Sequence, residues 1–172
     1  MKRVRIGMII LATLLLGGCA SNMKSAVAYL EEEKYEDAIV CFEKEIGEKK
    51  NLGEAYRGKA IALYELEDYQ GAIDCFENAL ANKVEPTATI YRLMATSYHK
   101  LEEYESALDD YAKALAMEDC TEEMKQEMLF NEIAIYQKLG NWDAVKEKVS
   151  AYVEMYPDDS RMDKTVEFLE TR

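Results

Sequence analysis

Four stretches of the chain fall into register: Tyr35-Glu36-Asp37-Ala38-Ile39-Val40-Cys41-Phe42, Tyr69-Gln70-Gly71-Ala72-Ile73-Asp74-Cys75-Phe76, Tyr104-Glu105-Ser106-Ala107-Leu108-Asp109-Asp110-Tyr111 and Trp142-Asp143-Ala144-Val145-Lys146-Glu147-Lys148-Val149. Each opens on an aromatic residue, and the first three carry alanine three places on and a large aromatic four places after that. The alanine slot falls at Ala38, Ala72 and Ala107 and, as valine, at Val145, so the steps are 34, 35 and 38 residues. A period in this range marks a stacked-repeat architecture.

Upstream of each stretch lies a second apolar set: Ala26 and Tyr29; Tyr56, Ala60 and Leu63; Tyr91, Ala95 and Tyr98; Leu129, Ile133 and Tyr136. Their intervals of three and four residues are helical. Two antiparallel helices joined by a short turn approach closely only where side chains are small, which explains alanine at both members of the first three expected crossings. Large residues then fill the gaps, and each unit buries one side on the next, so three or more units share a core and the ends need polar covers.

The repeat resembles the tetratricopeptide repeat (TPR) family, a helix-turn-helix unit of about 34 residues. The resemblance covers about residues 22–157 and implies an all-α fold, a right-handed α-solenoid of about four units plus a C-terminal capping helix. The units are expected at about 22–52, 53–86, 88–120 and 121–157, with the cap in 158–172. Carried over position by position, the small crossing residue is Ala26, Ala60 and Ala95, with Ile133 departing. The small residue of the second helix is Ala38, Ala72 and Ala107, with Val145 departing; the large one a turn later is Phe42, Phe76 and Tyr111, with Val149 departing. The proline that closes a unit occurs only as Pro157, and Asn22 and Ser25 stand in the first unit where large apolar residues are usual. Thr121 is a candidate N-cap that lengthens the first helix of the fourth unit by a turn, in a segment equally compatible with a loop. Ser160 with Asp163 reads as a capping box opening a helix over 160–170, with Met162, Val166 and Leu169 as its apolar stripe. Trp142, matching Tyr35, Tyr69 and Tyr104, is expected to pack the turn.

The first residues read as an address. Lys2, Arg3 and Arg5 precede an apolar run from Ile6 to Leu16, too short for the ~20 residues that span a bilayer. Leu16-Gly17-Gly18-Cys19 follows, and this resembles the lipobox of bacterial lipoproteins. The resemblance implies a signal peptide at 1–18, a lipid on the Cys19 sulfur, a short tether at 19–21, and a domain held on the extracytoplasmic face of a membrane. A plain secretory signal or short anchor is the simpler alternative. Cleavage would remove three cations and no acid, taking the net charge from −13 to −16. So acidic a domain gains nothing from anionic headgroups, so attachment rests on the acyl chains. The other three cysteines are odd in number, and Cys41 and Cys75 occupy equivalent places on helices about 10 Å apart, beyond disulfide reach. They read as small apolar fillers.

With 34 acidic against 21 basic residues, the chain lacks the cation surplus that phosphate neutralisation requires, so no nucleic-acid partner is expected. Catalysis is poorly supplied: one His, no Gly-rich phosphate loop, no nucleophile elbow and no His-Glu-x-x-His. No enzymatic role, cofactor, metal or small-molecule substrate is expected. Glu31, Glu32, Glu33, Glu102 and Glu103 read as solvated turn residues.

In solenoids of the family the first helices line the concave side, and residues next to the core positions turn into the groove. Here these are Arg57, Ile61 and Tyr64; Arg92, Thr96, His99 and Lys100; and Phe130, Asn131, Ala134, Gln137 and Lys138. The stripe holds four Lys or Arg and no acid in an acidic chain, which fits a groove for a peptide or protein, with Arg57 and Arg92 meeting carboxylates or carbonyls and Tyr64 and Phe130 giving apolar contact. The plainer alternative is that these cations pair with Glu on adjacent helices. A Lys and Asn pair by which some family members hold a C-terminal carboxylate is replaced by Met23 and Val27. The expectation is therefore a membrane-anchored scaffold or adaptor of the cell envelope. A self-assembling structural protein is the alternative, and a glycan-cleaving carboxylate pair is a third.

Overall fold

The computed structural model describes residues 20–171; Cys19 and the signal-like segment before it lie outside the described residues. Eight helices alternate in antiparallel pairs: α1 (Ala20–Glu31), α2 (Tyr35–Gly47), α3 (Leu52–Glu65), α4 (Tyr69–Ala81), α5 (Ala88–Lys100), α6 (Tyr104–Leu115), α7 (Glu122–Lys138) and α8 (Trp142–Met155). A 3-10 turn, Ser160–Met162, leads into α9 (Asp163–Glu170). Among the described residues there is no strand. Consecutive helices pack in order along the chain, and the first helices α1 and α3, and α5 and α7, also touch directly, which puts the first helices on the inner radius of an α-solenoid.

The alanine crossings hold the pairs together. Ala26 and Ala38, Ala60 and Ala72, and Ala95 and Ala107 are all 0% exposed, and each pair shares one core cluster, so the side chains at these places are methyl groups. In the fourth unit Ile133 and Val145 take the same places, and both are buried.

Each first helix ends in the same way. Glu33, Glu67, Glu102 and Gly140 have φ of 58°, 63°, 62° and 68°. The next amide in each case reaches back to the carbonyl five residues earlier: Lys34 to Tyr29, Asp68 to Leu63, Glu103 to Tyr98 and Asn141 to Tyr136, at 2.8–3.0 Å. These are Schellman caps, which favour glycine at the left-handed residue. Only the fourth unit supplies one. The three glutamates accept a conformational cost of roughly 1 kcal/mol each, and being exposed they place a charge in water.

The unit-to-unit junctions are keyed by the large residue of each second helix. Phe42 of α2 meets Gly58 of α3, where a Cβ would lie 2.2 Å from the ring. Phe76 of α4 sits in one core cluster with Leu93 of α5. Tyr111 of α6, fully buried, shares a core cluster with Met128 of α7. Two carboxylates are also buried near the last junction, Asp110 taking Lys113 at 2.8 Å and Glu132 taking Lys148 at 2.6 Å.

Thr121 does cap α7, its hydroxyl accepting from the Met124 amide at 3.2 Å, and α7 runs 17 residues against 13 for α5. At the end of the chain the capping box is corrected. Asp159, not Ser160, accepts the first amide, from Arg161 at 3.1 Å, and the helix proper begins at Asp163. Asp159 gathers far more than a cap: the Arg161 guanidinium, the Tyr152 hydroxyl at 2.5 Å and the Gln126 amide at 2.8 Å. The Arg161 guanidinium holds its carboxyl well below the usual carboxylate range. Trp142 departs from its expected role: it is 45% exposed and stacks at 5.0 Å on Phe168 of α9, whereas Tyr69 and Tyr104 pack edge-on against Tyr64 and His99.

Ala72→Asp or Ala107→Asp buries an unpaired carboxylate between two backbones in contact, at a cost of several kcal/mol. Far-UV circular dichroism is expected to show the cooperative helical transition lost or shifted to much lower temperature in either variant, while Ala112→Asp, on the exposed face of α6, leaves it near wild type.

Candidate functional site

The three inner helices α3, α5 and α7 carry the stripe residues at successive turns. On α3, Arg57 forms an ion pair with Glu54 one turn earlier, Ile61 is half-buried between the first two core clusters, and Tyr64 lies edge-on to Tyr69 at 6.0 Å. Burial pushes the Tyr64 hydroxyl up to about 12, so it is a neutral donor throughout the ordinary pH range.

The centre of the stripe is α5. Arg92 is only 5% exposed, and its charge is compensated loosely: the nearest carboxylate oxygen, of Glu127 on α7, is 3.9 Å from Nη1. Its Nε–H has no partner. A buried guanidinium donor without an acceptor is rare, because each unmade bond forfeits the solvation given up on burial. Thr96, one turn on, donates its hydroxyl to the Arg92 carbonyl at 2.8 Å and accepts from the Tyr111 hydroxyl at 3.2 Å, so that a tyrosine of the outer layer reaches through to the inner one.

His99 and Lys100 follow at the C-terminal end of α5, with Lys138 at the equivalent end of α7. Burial, then Lys100, then Lys138 lower the His99 pKa below its ordinary 6.5, which places the three groups in one electrostatic neighbourhood. Among the described residues neither lysine has an ion-pair partner. Their position at two helix C-termini is itself favourable for cations, by some tenths of a kcal/mol.

The rest of α7 is less available. The Phe130 ring is covered by the Arg161 guanidinium, 4.4 Å from its centroid, and stands 6.4 Å from Tyr152. Gln137 donates to Thr165 of α9 at 3.2 Å, and Ala134 and Asn131 are half-buried. The structure therefore redraws the expected stripe in three respects. Acids do reach it, Glu54 at Arg57 and Glu127 at Arg92. Arg92 is a buried residue and not a solvated one. Phe130 is engaged by the capping segment.

Tyr111 is the member that the sequence pattern did not single out. Phe42 and Phe76 occupy its slot in the preceding units, and the added hydroxyl at a fully buried position was the available sign that a polar partner lay beyond the core. Two clefts lie apart from the stripe, one of about 170 Å³ bordered by Leu129, Lys148 and Met155, and one of about 250 Å³ between α8 and α9 bordered by Tyr156, Asp163 and Glu167.

Solved structures share this arrangement. YrrB, described as a TPR protein with an unusual peptide-binding site, superposes with a TM-score of 0.67 at 22% identity, over 81% of this chain and 70% of its own. MamA from Desulfovibrio magneticus RS-1 gives 0.67 at 17% identity over 83% and 78%, and MamA AMB-1 gives 0.67 at 12% identity over 82% and 74%. The fold is that of the TPR proteins. At these identities the likeness concerns the fold. No protein-family model and no curated protein matches the chain.

Because His99 is the single histidine, its ring protons report the stripe directly. An NMR titration is expected to place its midpoint below 6.5, and Lys100→Gln with Lys138→Gln to move it upward. The folded state resists this proton, so stability is full above the unfolded value near 6.5 and declines as pH falls from there through the folded one.

Proposed function

We propose that this protein is a lipid-anchored scaffold of the bacterial envelope that binds a peptide or protein segment along the inner faces of α3, α5 and α7. The observation that carries the reading is Arg92: a cation kept nine-tenths buried on the inner layer, with an idle Nε–H and its ion-pair partner Glu127 at 3.9 Å, in a chain of net charge −13. Such a group is held ready for an acceptor that the fold itself does not provide. The TPR fold and the described peptide-binding site of YrrB lend support. The Leu16-Gly17-Gly18-Cys19 motif supports the anchor, with the diacylated sulfur fixing the domain to the extracytoplasmic face.

A photo-crosslinking residue at Ile61 or Thr96 is expected to trap a partner in native membranes, and one at Val40, half-exposed on α2, is expected to trap none. Equal trapping at all three sites would rule out the inner face. Incorporation of a palmitate analogue should be seen in the wild-type chain and abolished by Cys19→Ser, which should also release the protein from the membrane fraction.

A second reading, self-assembly, draws on the apolar residues set along the turns: Leu66 and Leu101 at 37% exposed, Leu139 at 42% and Trp142 at 45%. Sedimentation of the Cys19→Ser chain separates the two. A monomer over the micromolar range fits the scaffold, and a concentration-dependent rise in mass that Leu139→Asp abolishes fits assembly.

A further inference from the structure

The stripe is not evenly charged, and its unevenness specifies a ligand. Arg57 is already matched by Glu54. Arg92 keeps a long ion pair and an unpartnered Nε–H, Lys100 and Lys138 have no ion pair among the described residues, and His99 stands beside them; three of these four lie on one helix, α5, at positions 92, 99 and 100. The helical repeat puts Arg92, Thr96, His99 and Lys100 on one face of α5, and eight residues of rise separate the first from the last by ~12 Å. The other end of the inner surface is apolar: Val27 and Ile61 are half-buried members of the first core cluster, and Tyr64 follows on α3.

Resting on the proposed groove, we infer that its partner is an acidic segment internal to a polypeptide, lying along α5 with one carboxylate at Arg92 and a second at Lys100 and Lys138. An extended chain rises ~3.3 Å per residue, so the two acidic side chains stand about four positions apart. The first carboxylate meets the Arg92 guanidinium on its Nη1 side, and the Tyr64 hydroxyl, kept protonated by its burial, is a neutral donor in the same neighbourhood. Glu127, 3.9 Å from Arg92 and half-exposed, is the carboxylate that the ligand displaces.

Charge complementarity selects this occupant over a basic one. The chain as a whole is acidic and would attract a cationic peptide indiscriminately, whereas this stripe gathers Arg92, Lys100 and Lys138 on two neighbouring helices and suits an acidic segment. Nothing in the arrangement calls for a free chain end, because the two contact points are side-chain sized and separated along the ligand.

The test is a selection from a random peptide library displayed on phage with the peptide C-terminus fused, so that no terminal carboxylate is offered, using the purified full-length chain as bait. The expected result is enrichment of sequences with Asp or Glu at two positions about four apart. Their synthetic amidated forms should lose roughly tenfold in affinity when both acids become amides, and by as much on Lys100→Glu with Lys138→Glu, two exposed positions whose substitution leaves the melting temperature near wild type. Arg92→Gln should weaken binding at least as much, and the lysine pair keeps the test decisive if that variant does not fold.

Enrichment of neutral or basic peptides that still compete with crosslinking at Thr96 overturns the acidic-segment inference and leaves the peptide groove standing. Acidic peptides whose affinity is indifferent to all three substitutions overturn the track. Absence of any enrichment above bait carrying Ile61→Glu and Thr96→Glu removes the groove itself, and the inference with it.

Discussion

Methyl groups at the helix crossings set the distance between the two layers of this protein. Six alanines with no exposed surface allow each pair of helices to come into near backbone contact, and the larger residues around them are sized for the gaps that this contact leaves. Were the crossings wider, Phe42, Phe76 and Tyr111 would not reach the neighbouring unit and the stack would have no continuous core. The fourth unit shows the tolerance of the scheme: Ile133 and Val145 take the alanine places, α7 and α8 approach less closely than the other pairs, and Val149 replaces the large aromatic. This unit is also the one that is braced from outside, by Asp159, Arg161 and Thr165 of the capping segment.

The inner face inherits its character from that packing. Because first helices lie side by side at the inner radius, residues a turn apart on one helix face residues of the next, and charges that are scattered in sequence become a surface. Glu54 and Glu127 each stand near an arginine, yet the two arginines differ: one has a close partner at the solvent edge, the other is buried beside a distant one. That contrast separates an ordinary surface ion pair, worth little, from a buried cation whose unmet hydrogen bond is costly.

The architecture was legible because it is written in a period. Alanine at 38, 72 and 107 and the paired apolar sets fix helix positions without any reference to side-chain geometry. Thr121 was readable as a cap for the same reason, a local rule acting locally. What escaped was set by contacts between units. The burial of Arg92 depends on what α3 and α7 place around it, and the diversion of Phe130 depends on Arg161, thirty-one residues away in the chain. Asp159 outcompeted Ser160 as the cap because Tyr152 and Gln126 also required an acceptor, a demand that no capping rule expresses. Gly58 carried no signal of its own, since only the ring of Phe42 gives its missing side chain a meaning.

The three junctions differ in kind: a ring over a glycine, a ring clustered with a leucine, a phenol clustered with a methionine. A homopolymer of identical modules could be shuffled, lengthened or trimmed anywhere with little penalty. Here transposing the second and third modules would drive Phe42 into Leu93 and set the Tyr111 ring over Gly58, so the order of the modules is itself encoded. An engineer wishing to extend this array must copy whole interfaces, cutting through the middle of modules and not at their visible borders.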